Sequence, residues 1–299
     1  MNSTSQSYDQ IISLGYRCSS AGIIKSLGLK TESYPFDWLV SRLPIIEHCI
    51  KTDFKEFLNP DNYTTKEGTT NNYVSIDPSS RQWICNESIC FNEYYENHPT
   101  QYYLPHPIST ANDAYGYKLM MNHRNIKTNT QDQAYYARCI ERWYKSIESQ
   151  KRLVLYIHPA VFYEEFLQTK QELIGELRRA HNAVFSFDAP ASNLPKNSDL
   201  VTSYATSVNP INTTCDGIYI IPVRTPFEYP TNHCAKYVLE EHPDDEESNC
   251  RVCILWANRD FIDAGEIFMG NCHVETYVIK DYLQQTVNNR RLLPNSAKK

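Results

Sequence analysis

A cysteine lies between a short apolar segment and an apolar helical segment near the start of this chain. Cys18 follows Arg17 in the stretch SLGYRC, after a predicted strand at residues 11–14. At the first turn of a helix, the helix dipole and the terminal backbone N–H groups stabilise a thiolate. The guanidinium of Arg17 would add positive potential beside it. These residues therefore favour a nucleophilic cysteine, with the helix N–H groups available to bind an oxyanion.

The same turn has three other interpretations on the residues alone. Cys18 is one of ten cysteines and is equally compatible with a buried structural role. Alternatively, Gly15 to Arg17 and the first N–H groups of the helix bind a phosphate. That arrangement would suit a glycosyltransferase that uses a sugar-nucleotide donor, in which Cys18 takes no part. The last alternative is a non-catalytic binding module that presents the aromatic-rich middle of the chain.

The composition indicates a globular protein and argues against several classes of partner. The 299 residues are 41% hydrophobic and 21% charged, with a net charge of -6. A strongly basic face, which nucleic-acid binding needs, is not expected from this balance. We find no apolar run of the roughly 18–20 residues that cross a bilayer, and no signal peptide in MNSTSQSYDQ. We therefore expect a cytoplasmic protein with reduced thiols and no nucleic-acid partner.

The elements that would position these residues follow from hydrophobic periodicity. A helical pattern begins at residue 132, and four apolar segments have the length of strands, at 153–157, 183–187, 218–223 and 251–257. Strands alternating with helices predict an α/β fold with a parallel or mixed sheet and flanking helices, Rossmann-like in at least the second half. Around residues 60–127, prolines separate short aromatic segments, which predicts an irregular insertion. We expect one α/β domain over residues 1–299, with a sub-division near 128–150.

Residues 11–41 resemble a family described as papain-like cysteine peptidases, formerly a domain of unknown function. The resemblance is carried by SLGYRC, the apolar helix, the Gly28-Leu29 pair and SYPFDWLVS. A weaker resemblance extends from residue 100 to about 190, in YYLPHPI, YYARCIERWYKSI and LVLYI. Papain-like enzymes combine a helical part with an antiparallel sheet. The resemblance and the predicted parallel sheet therefore imply different architectures.

The resemblance implies a catalytic set and a substrate class. Cys18 would be the nucleophile and His106, in YLPHPI, its base. The family's His-Asp pair is replaced here by His106-Pro107, so the third member of a triad is open. Asp37 in PFDW is the candidate to orient the histidine, or else it caps backbone amides of an aromatic turn. The substrate would be a peptide, or a glycan if the glycosyltransferase alternative holds.

Further candidates come from the ends of predicted strands. His158 ends the 153–157 strand, where side chains that face ligands lie in open α/β sheets. We predict that Gly15, Arg17 and His158 contact the substrate.

Two other sets of residues match a catalytic or a metal-binding pattern only in part. His233, followed by Trp256 and Asn258, loosely reproduces the order of a papain-like histidine and asparagine. Cys250 and Cys253 form a C-x-x-C without a second matched pair, so a structural zinc site is only an alternative. The chain has no Walker loop, G-x-G-x-x-G, G-x-S-x-G or H-E-x-x-H. We therefore predict neither a cofactor nor a metal.

Overall fold

The structure is a computed structural model. It describes residues 8–15, 18–66, 89–97, 119–121, 124–147, 151–158, 161–185, 214–225, 237–241, 250–258 and 273–288. The α-helices in these ranges are α1 (Cys18–Ser26), α2 (Leu43–Lys51), α3 (Lys55–Leu58), α4 (Glu93–Asn97), α5 (Thr130–Ser146), α6 (Tyr163–Phe185) and α7 (His273–Val287), and a short 3-10 helix spans Pro60–Asn62. The strands are β1 (Gln10–Ser13), β2 (Leu39–Val40), β3 (Tyr63–Lys66), β4 (Ile89–Asn92), β5 (Leu119–Met121), β6 (Lys151–Ile157), β7 (Val161–Phe162), β8 (Thr214–Thr225), β9 (Tyr237–Glu241) and β10 (Cys250–Asn258).

The larger sheet in the described part of the chain is mainly parallel. Its strand order is β1-β6-β8-β10-β9, with β7 paired to β8, and β9 alone runs antiparallel to its neighbour. In the register of β1 and β6, Ile11 lies opposite Leu153. Side chains alternate between the two faces of a strand, so Leu153 and Leu155 join one hydrophobic cluster while Val154 and Tyr156 join another. The predicted α/β fold with a parallel or mixed sheet is confirmed.

Helices cover both faces of this sheet, as a parallel sheet requires. Ile23 and Ile24 of α1 share a cluster with Leu283 of α7 on one face. On the other face, α2, α5 and α6 supply apolar side chains such as Trp143 and Leu177. None of the helices in the described ranges is long and apolar enough to cross a bilayer.

A second sheet lies within and beside the region predicted to be irregular. The described strands β2, β5, β4 and β3 pair antiparallel in that order. Met120 of β5 and Phe91 of β4 belong to the same hydrophobic cluster as Val154 of the parallel sheet. The structure therefore contains both a parallel and an antiparallel sheet. The domain boundaries stay a prediction.

One predicted strand is wrong where the structure describes it. Residues 183–187 were expected to form a buried strand, but α6 continues to Phe185, and residues 186 and 187 lie outside the described ranges. Leu177, Ala180 and Val184 are buried at helical spacing, so the apolar run is the last turn of a helix face. A short apolar run has the same composition in a buried helix as in a buried strand.

Candidate active site

The strand-to-helix turn that contains Cys18 lies at the carboxyl edge of the parallel sheet. Gly15 follows β1, and α1 begins at Cys18. On the neighbouring strand β6, His158 follows the last strand residue, and its backbone N–H donates to the carbonyl of Ile220 at 2.7 Å. Ligands of open α/β sheets bind beyond the carboxyl ends of the strands. Gly15, Cys18 and His158 therefore lie at this edge of the sheet, and their contact with a substrate stays a prediction.

Gly15 is required where β1 meets the turn. Its φ is +83°, a conformation that glycine adopts without the steric cost that other residues carry. An added Cβ would lie 2.9 Å from the Oγ of Ser41 and 3.0 Å from the carbonyl oxygen of Phe36. Residues 36–41 therefore pack closely against the backbone of this turn.

Two serine hydroxyls connect the end of β1 to the first turn of α1. The Oγ of Ser20 donates to the carbonyl of Gly15 at 3.3 Å, and the N–H of Gly15 donates to the Oγ of Ser13 at 3.2 Å. The two hydroxyl oxygens are 2.6 Å apart. Each hydroxyl has one hydrogen, so Ser13 must donate to Ser20 to complete this ring of hydrogen bonds. The ring holds Gly15 against a residue two positions after Cys18.

Cys18 differs from the other described cysteines in its exposure. It is half-buried, whereas six others are buried, namely Cys49, Cys90, Cys139, Cys215, Cys250 and Cys253. Burial raises the pKa of Cys49 and the pKa of Cys215 to about 12, because a thiolate is poorly solvated in the core. Of the cysteines that the structure describes, Cys18 is the one that is not buried.

Asp37 is a buried carboxylate whose two oxygens differ. Its Oδ2 accepts a hydrogen bond from the backbone N–H of Tyr34 at 2.7 Å and forms an ion pair with Lys30. Its Oδ1 is buried and has no hydrogen-bond partner in the described part of the chain. Burial raises the pKa of Asp37, and the ammonium of Lys30 offsets part of that rise. The capping interpretation of Asp37 fits Oδ2, whereas Oδ1 makes no hydrogen bond in the described part of the chain.

The core fixes the segment that carries Asp37. The ring of Phe36 lies 5.7 Å from that of Phe54 and 6.0 Å from that of Trp143, as measured between centroids. The ammonium of Lys30 lies 5.9 Å from the ring centroid of Trp38, within the range of a cation–π contact. Aromatic packing on both sides of Asp37 therefore holds the carboxylate in one place.

Of the remaining residues predicted for the site, the structure describes His158 but not Arg17, His106 or His233. The imidazole of His158 is buried, with its ring 6.2 Å from that of Tyr156. Arg17, His106 and His233 lie outside the described residues, so their roles stay predictions. Sequence reasoning missed Lys30, Ser41 and the pairing of Ser13 with Ser20. Only the Ser-rich composition of residues 13–20 gave any local signal for these residues.

The C-x-x-C motif does not form a shared metal site. Cys250 and Cys253 are three residues apart on β10 and belong to hydrophobic clusters on opposite faces of the sheet. Alternation along a strand therefore separates the two thiols. Among the residues that the structure describes, no three His, Cys, Asp or Glu side chains are grouped to hold a metal ion.

Together, the fold and the site define an α/β protein with a half-buried cysteine at the first residue of the helix that follows β1. A family model described as "Putative papain-like cysteine peptidase (DUF1796)" matches residues 9–189, and the chain belongs to this family. It is also similar to Uncharacterized protein R408 of Acanthamoeba polyphaga mimivirus, with 30% identity over 144 residues. That match covers 48% of this chain and 58% of the relative's length. No solved structure matches the chain, and neither named match supports the glycosyltransferase alternative.

Proposed function

We propose that this protein is a thiol hydrolase of the papain-like cysteine peptidase class, with Cys18 as the nucleophile. The observation that carries the proposal is that Cys18, the first residue of α1, is only half-buried. The six other described cysteines, which lie elsewhere in the fold, are buried. The dipole of a helix stabilises negative charge at its N-terminus, which favours the thiolate. The family description supports the same chemistry.

In the proposed reaction, the Cys18 thiolate adds to the carbonyl carbon of a peptide bond. The carbonyl π electrons move to oxygen, and the resulting oxyanion is stabilised by hydrogen-bond donors around the turn. His106, protonated as an imidazolium, gives its proton to the leaving amine as the C–N bond breaks. Water, deprotonated by the neutral imidazole, then hydrolyses the thioester and regenerates the thiolate. Arg17 and His158 are proposed to contact the substrate.

Asp37 is proposed to orient the imidazole through Oδ1. Tyr34 and Lys30 hold Oδ2, so the carboxylate cannot rotate without breaking both contacts. A buried carboxylate oxygen with no partner is a strong acceptor that lacks its donor. An imidazole N–H would satisfy it, and a carboxylate in that role fixes the tautomer of the ring. In this assignment, Oδ2 of Asp37 holds the local structure and Oδ1 orients the imidazole.

The first prediction concerns the reactivity of the thiols. We expect iodoacetamide to alkylate Cys18 faster than the six buried cysteines near neutral pH, because Cys18 is accessible and stabilised as a thiolate. Peptide mass spectrometry after limited treatment of the folded protein measures the rate at each site. Treatment in denaturant is the control, since it should remove the difference. Equal rates for Cys18 and the buried thiols in the folded protein would contradict the proposal.

Peptide hydrolysis tests the reaction itself. A library of fluorogenic peptides should be hydrolysed by the wild-type protein and not by Cys18→Ala. Cys253→Ala is the matched control, because it removes a buried thiol from the core of the sheet. Hydrolysis that persists in Cys18→Ala would exclude Cys18 as the nucleophile.

A further inference from the structure

The side of α1 that carries Cys18 is not covered by the core. Gly22 and Lys25 follow Cys18 by four and seven positions, a spacing that places all three residues on one side of a helix. Cys18 and Gly22 are half-buried and Lys25 is exposed. The buried residues of α1 are Ser20, Ala21, Ile23 and Ile24. The side with Cys18, Gly22 and Lys25 therefore faces away from the sheet.

Gly22 leaves open space on this side of α1, between Cys18 and Lys25. A Cβ added to Gly22 would meet no atom within 4 Å among the described residues. A helix rises about 1.5 Å per residue, so Cys18 and Lys25 are separated by about 10 Å along the axis. An extended peptide advances about 3.3 Å per residue, so about three of its residues span that distance. The uncovered side of α1 thus has the length of a short peptide segment.

The ammonium of Lys25 lies at the far end of this side of the helix. It is 6.0 Å from the ring centroid of Trp38, and the ammonium of Lys30 is 5.9 Å from the same ring. The charge of Lys30 is neutralised by its ion pair with Asp37, and its side chain is only 10% exposed. Lys25 is exposed and forms no ion pair with a carboxylate of the described residues. The two ammonium groups beside Trp38 therefore leave one positive charge uncompensated, and it is the exposed one.

The ring of Trp38 restricts the position of that charge. Trp38 is half-buried, whereas its neighbours Asp37 and Leu39 are buried and fix the backbone on both sides of it. A cation over an aromatic face is attracted to the ring electrons. The contact limits the rotation of a long side chain, so less conformational entropy is lost when an anion binds. A carboxylate that pairs with Lys25 would also lie beside an apolar ring surface.

We propose that Lys25 and Trp38 form a subsite for an acidic residue of a peptide substrate, three residues from the bond that Cys18 attacks. This inference rests on the function proposed above. The ammonium of Lys25 pairs with the carboxylate of an aspartate or glutamate, and the Trp38 ring packs against its methylene groups. Gly22, which has no side chain, lets the intervening peptide backbone lie close to α1. The substrate class is a peptide with an acidic side chain near the cleaved bond.

Two alkylating probes that differ in one charge test this subsite. Iodoacetyl-Gly-Gly-Glu-amide and iodoacetyl-Gly-Gly-Gln-amide carry the same reactive group, and each loses iodide as the Cys18 sulfur bonds to its methylene carbon. We expect the Glu probe to alkylate Cys18 about threefold faster at low salt, which is the effect of one exposed ion pair. The two rates should converge at about 1 M NaCl, where charges are screened. Mass spectrometry of the Cys18 peptide measures both rates.

Substitutions of Lys25 assign the preference to its charge. Lys25→Met should make the two rates equal, and Lys25→Glu should make the Gln probe about threefold faster than the Glu probe. Lys55→Met is the matched control and should keep the wild-type preference. It changes the net charge by the same amount as Lys25→Met, but it lies on α3, whose Phe57 belongs to the cluster on the other face of the sheet.

The outcomes separate the subsite from the nucleophile. Equal rates for the two probes in the wild-type protein, with Cys18 still alkylated by iodoacetamide faster than the buried thiols, would overturn the subsite alone. A preference for the Glu probe that persists in Lys25→Met would also overturn it. Slow alkylation of Cys18 by iodoacetamide and by both probes would overturn the nucleophile, and the subsite with it.

Discussion

Lys30 and Asp37 form a charge pair in the segment that follows α1. Both side chains are largely removed from water, with 10% and 0% of their surfaces exposed. The desolvation of two charges is unfavourable, so such a pair contributes little net stability. Removal of one partner lowers the stability of the protein much more, because it leaves a buried charge without a counter-charge. The ion pair therefore controls the protonation state of Asp37 more than it stabilises the fold.

At this scale we predict the effect of Lys30→Met. Burial already raises the pKa of Asp37, and the loss of the ammonium should raise that pKa further. Breaking a buried pair typically lowers the free energy of unfolding by about 3–5 kcal/mol. The loss should be largest where Asp37 would be ionised and should shrink as the pH falls and the carboxyl group protonates. Urea unfolding at about pH 5 and about pH 8 measures the difference.

The direction of this pH dependence follows from the numbers of protons that the folded and the unfolded states bind. A carboxyl group with a raised pKa holds its proton in the folded state at pH values where the unfolded chain has lost it. Its contribution to stability therefore falls as the pH rises above the unfolded pKa of about 3.9. The double variant Lys30→Met with Asp37→Asn is the control and should lose the pH dependence. An equal loss of stability for Lys30→Met at both pH values would contradict this account.

His181 connects α6 to β8 at the scale of secondary structure. Its Nε2 lies 3.1 Å from the carbonyl oxygen of Cys215 and its Nδ1 lies 3.0 Å from the hydroxyl of Tyr219. A carbonyl only accepts, so Nε2 carries the proton and Nδ1 accepts from Tyr219. A Cβ on Gly217 would lie 2.7 Å from Nδ1, which explains the glycine between these two strand residues. The contact between helix and sheet thus uses both ring nitrogens of the neutral imidazole.

This contact predicts a loss of stability in acid. Burial lowers the pKa of His181 to about 4, so the unfolded chain binds a proton at higher pH than the folded protein does. The free energy of unfolding should fall by about 3 kcal/mol as the pH drops from about 6.5 to about 4. Urea unfolding across that range measures the slope. His181→Gln, which cannot titrate, should flatten it, and an unaltered slope in that variant would assign the effect to other groups.

At the scale of the whole molecule, Trp143 joins several elements in one core. Its ring lies 6.0 Å from that of Phe36, 6.5 Å from Phe54 and 5.9 Å from Phe185. The indole is buried, and its Nε1 has no hydrogen-bond partner within the described ranges. The hydrophobic cluster that contains Trp143 includes residues of both sheets. The two sheets should therefore unfold together, as the prediction of a single domain requires.

Truncation of Trp143 tests that cooperativity. We expect Trp143→Ala to lower the free energy of unfolding by about 3–5 kcal/mol, because it removes apolar contacts and leaves a cavity. Far-UV circular dichroism and the alkylation of buried thiols should report one shifted transition. Trp143→Phe is the milder control, since it leaves a smaller cavity and removes the unpaired N–H. Two separate transitions in either variant would contradict the single domain.

The sequence by itself determined the strands, the main helix face and the position of the cysteine. The apolar run at 153–157 lies within β6, the helical spacing from Tyr136 to Trp143 forms the buried face of α5, and α1 begins at Cys18. Each of these features depends on residues within a few positions of one another, where a period of 2 or 3.6 reports which side chains share a face. Of the four predicted strands, the one at 183–187 is wrong where the structure describes it, because residues 183–185 end a helix. Three consecutive apolar residues are too few to show whether the hydrophobic pattern has the period of a helix or of a strand.

Only the tertiary structure decided what surrounds the cysteine. Ser41 lies 26 positions after Gly15 and yet its hydroxyl packs against that residue, while Lys30 pairs with Asp37 across the intervening turn. Cys250 and Cys253 look like a ligand pair in the sequence, but the pleat of β10 turns them to opposite faces. Periodicity identifies a buried face and does not identify the segment that covers it. Which segment covers the end of β1 depends on the tertiary fold, which packs the carbonyl of Phe36 and the hydroxyl of Ser41 against Gly15.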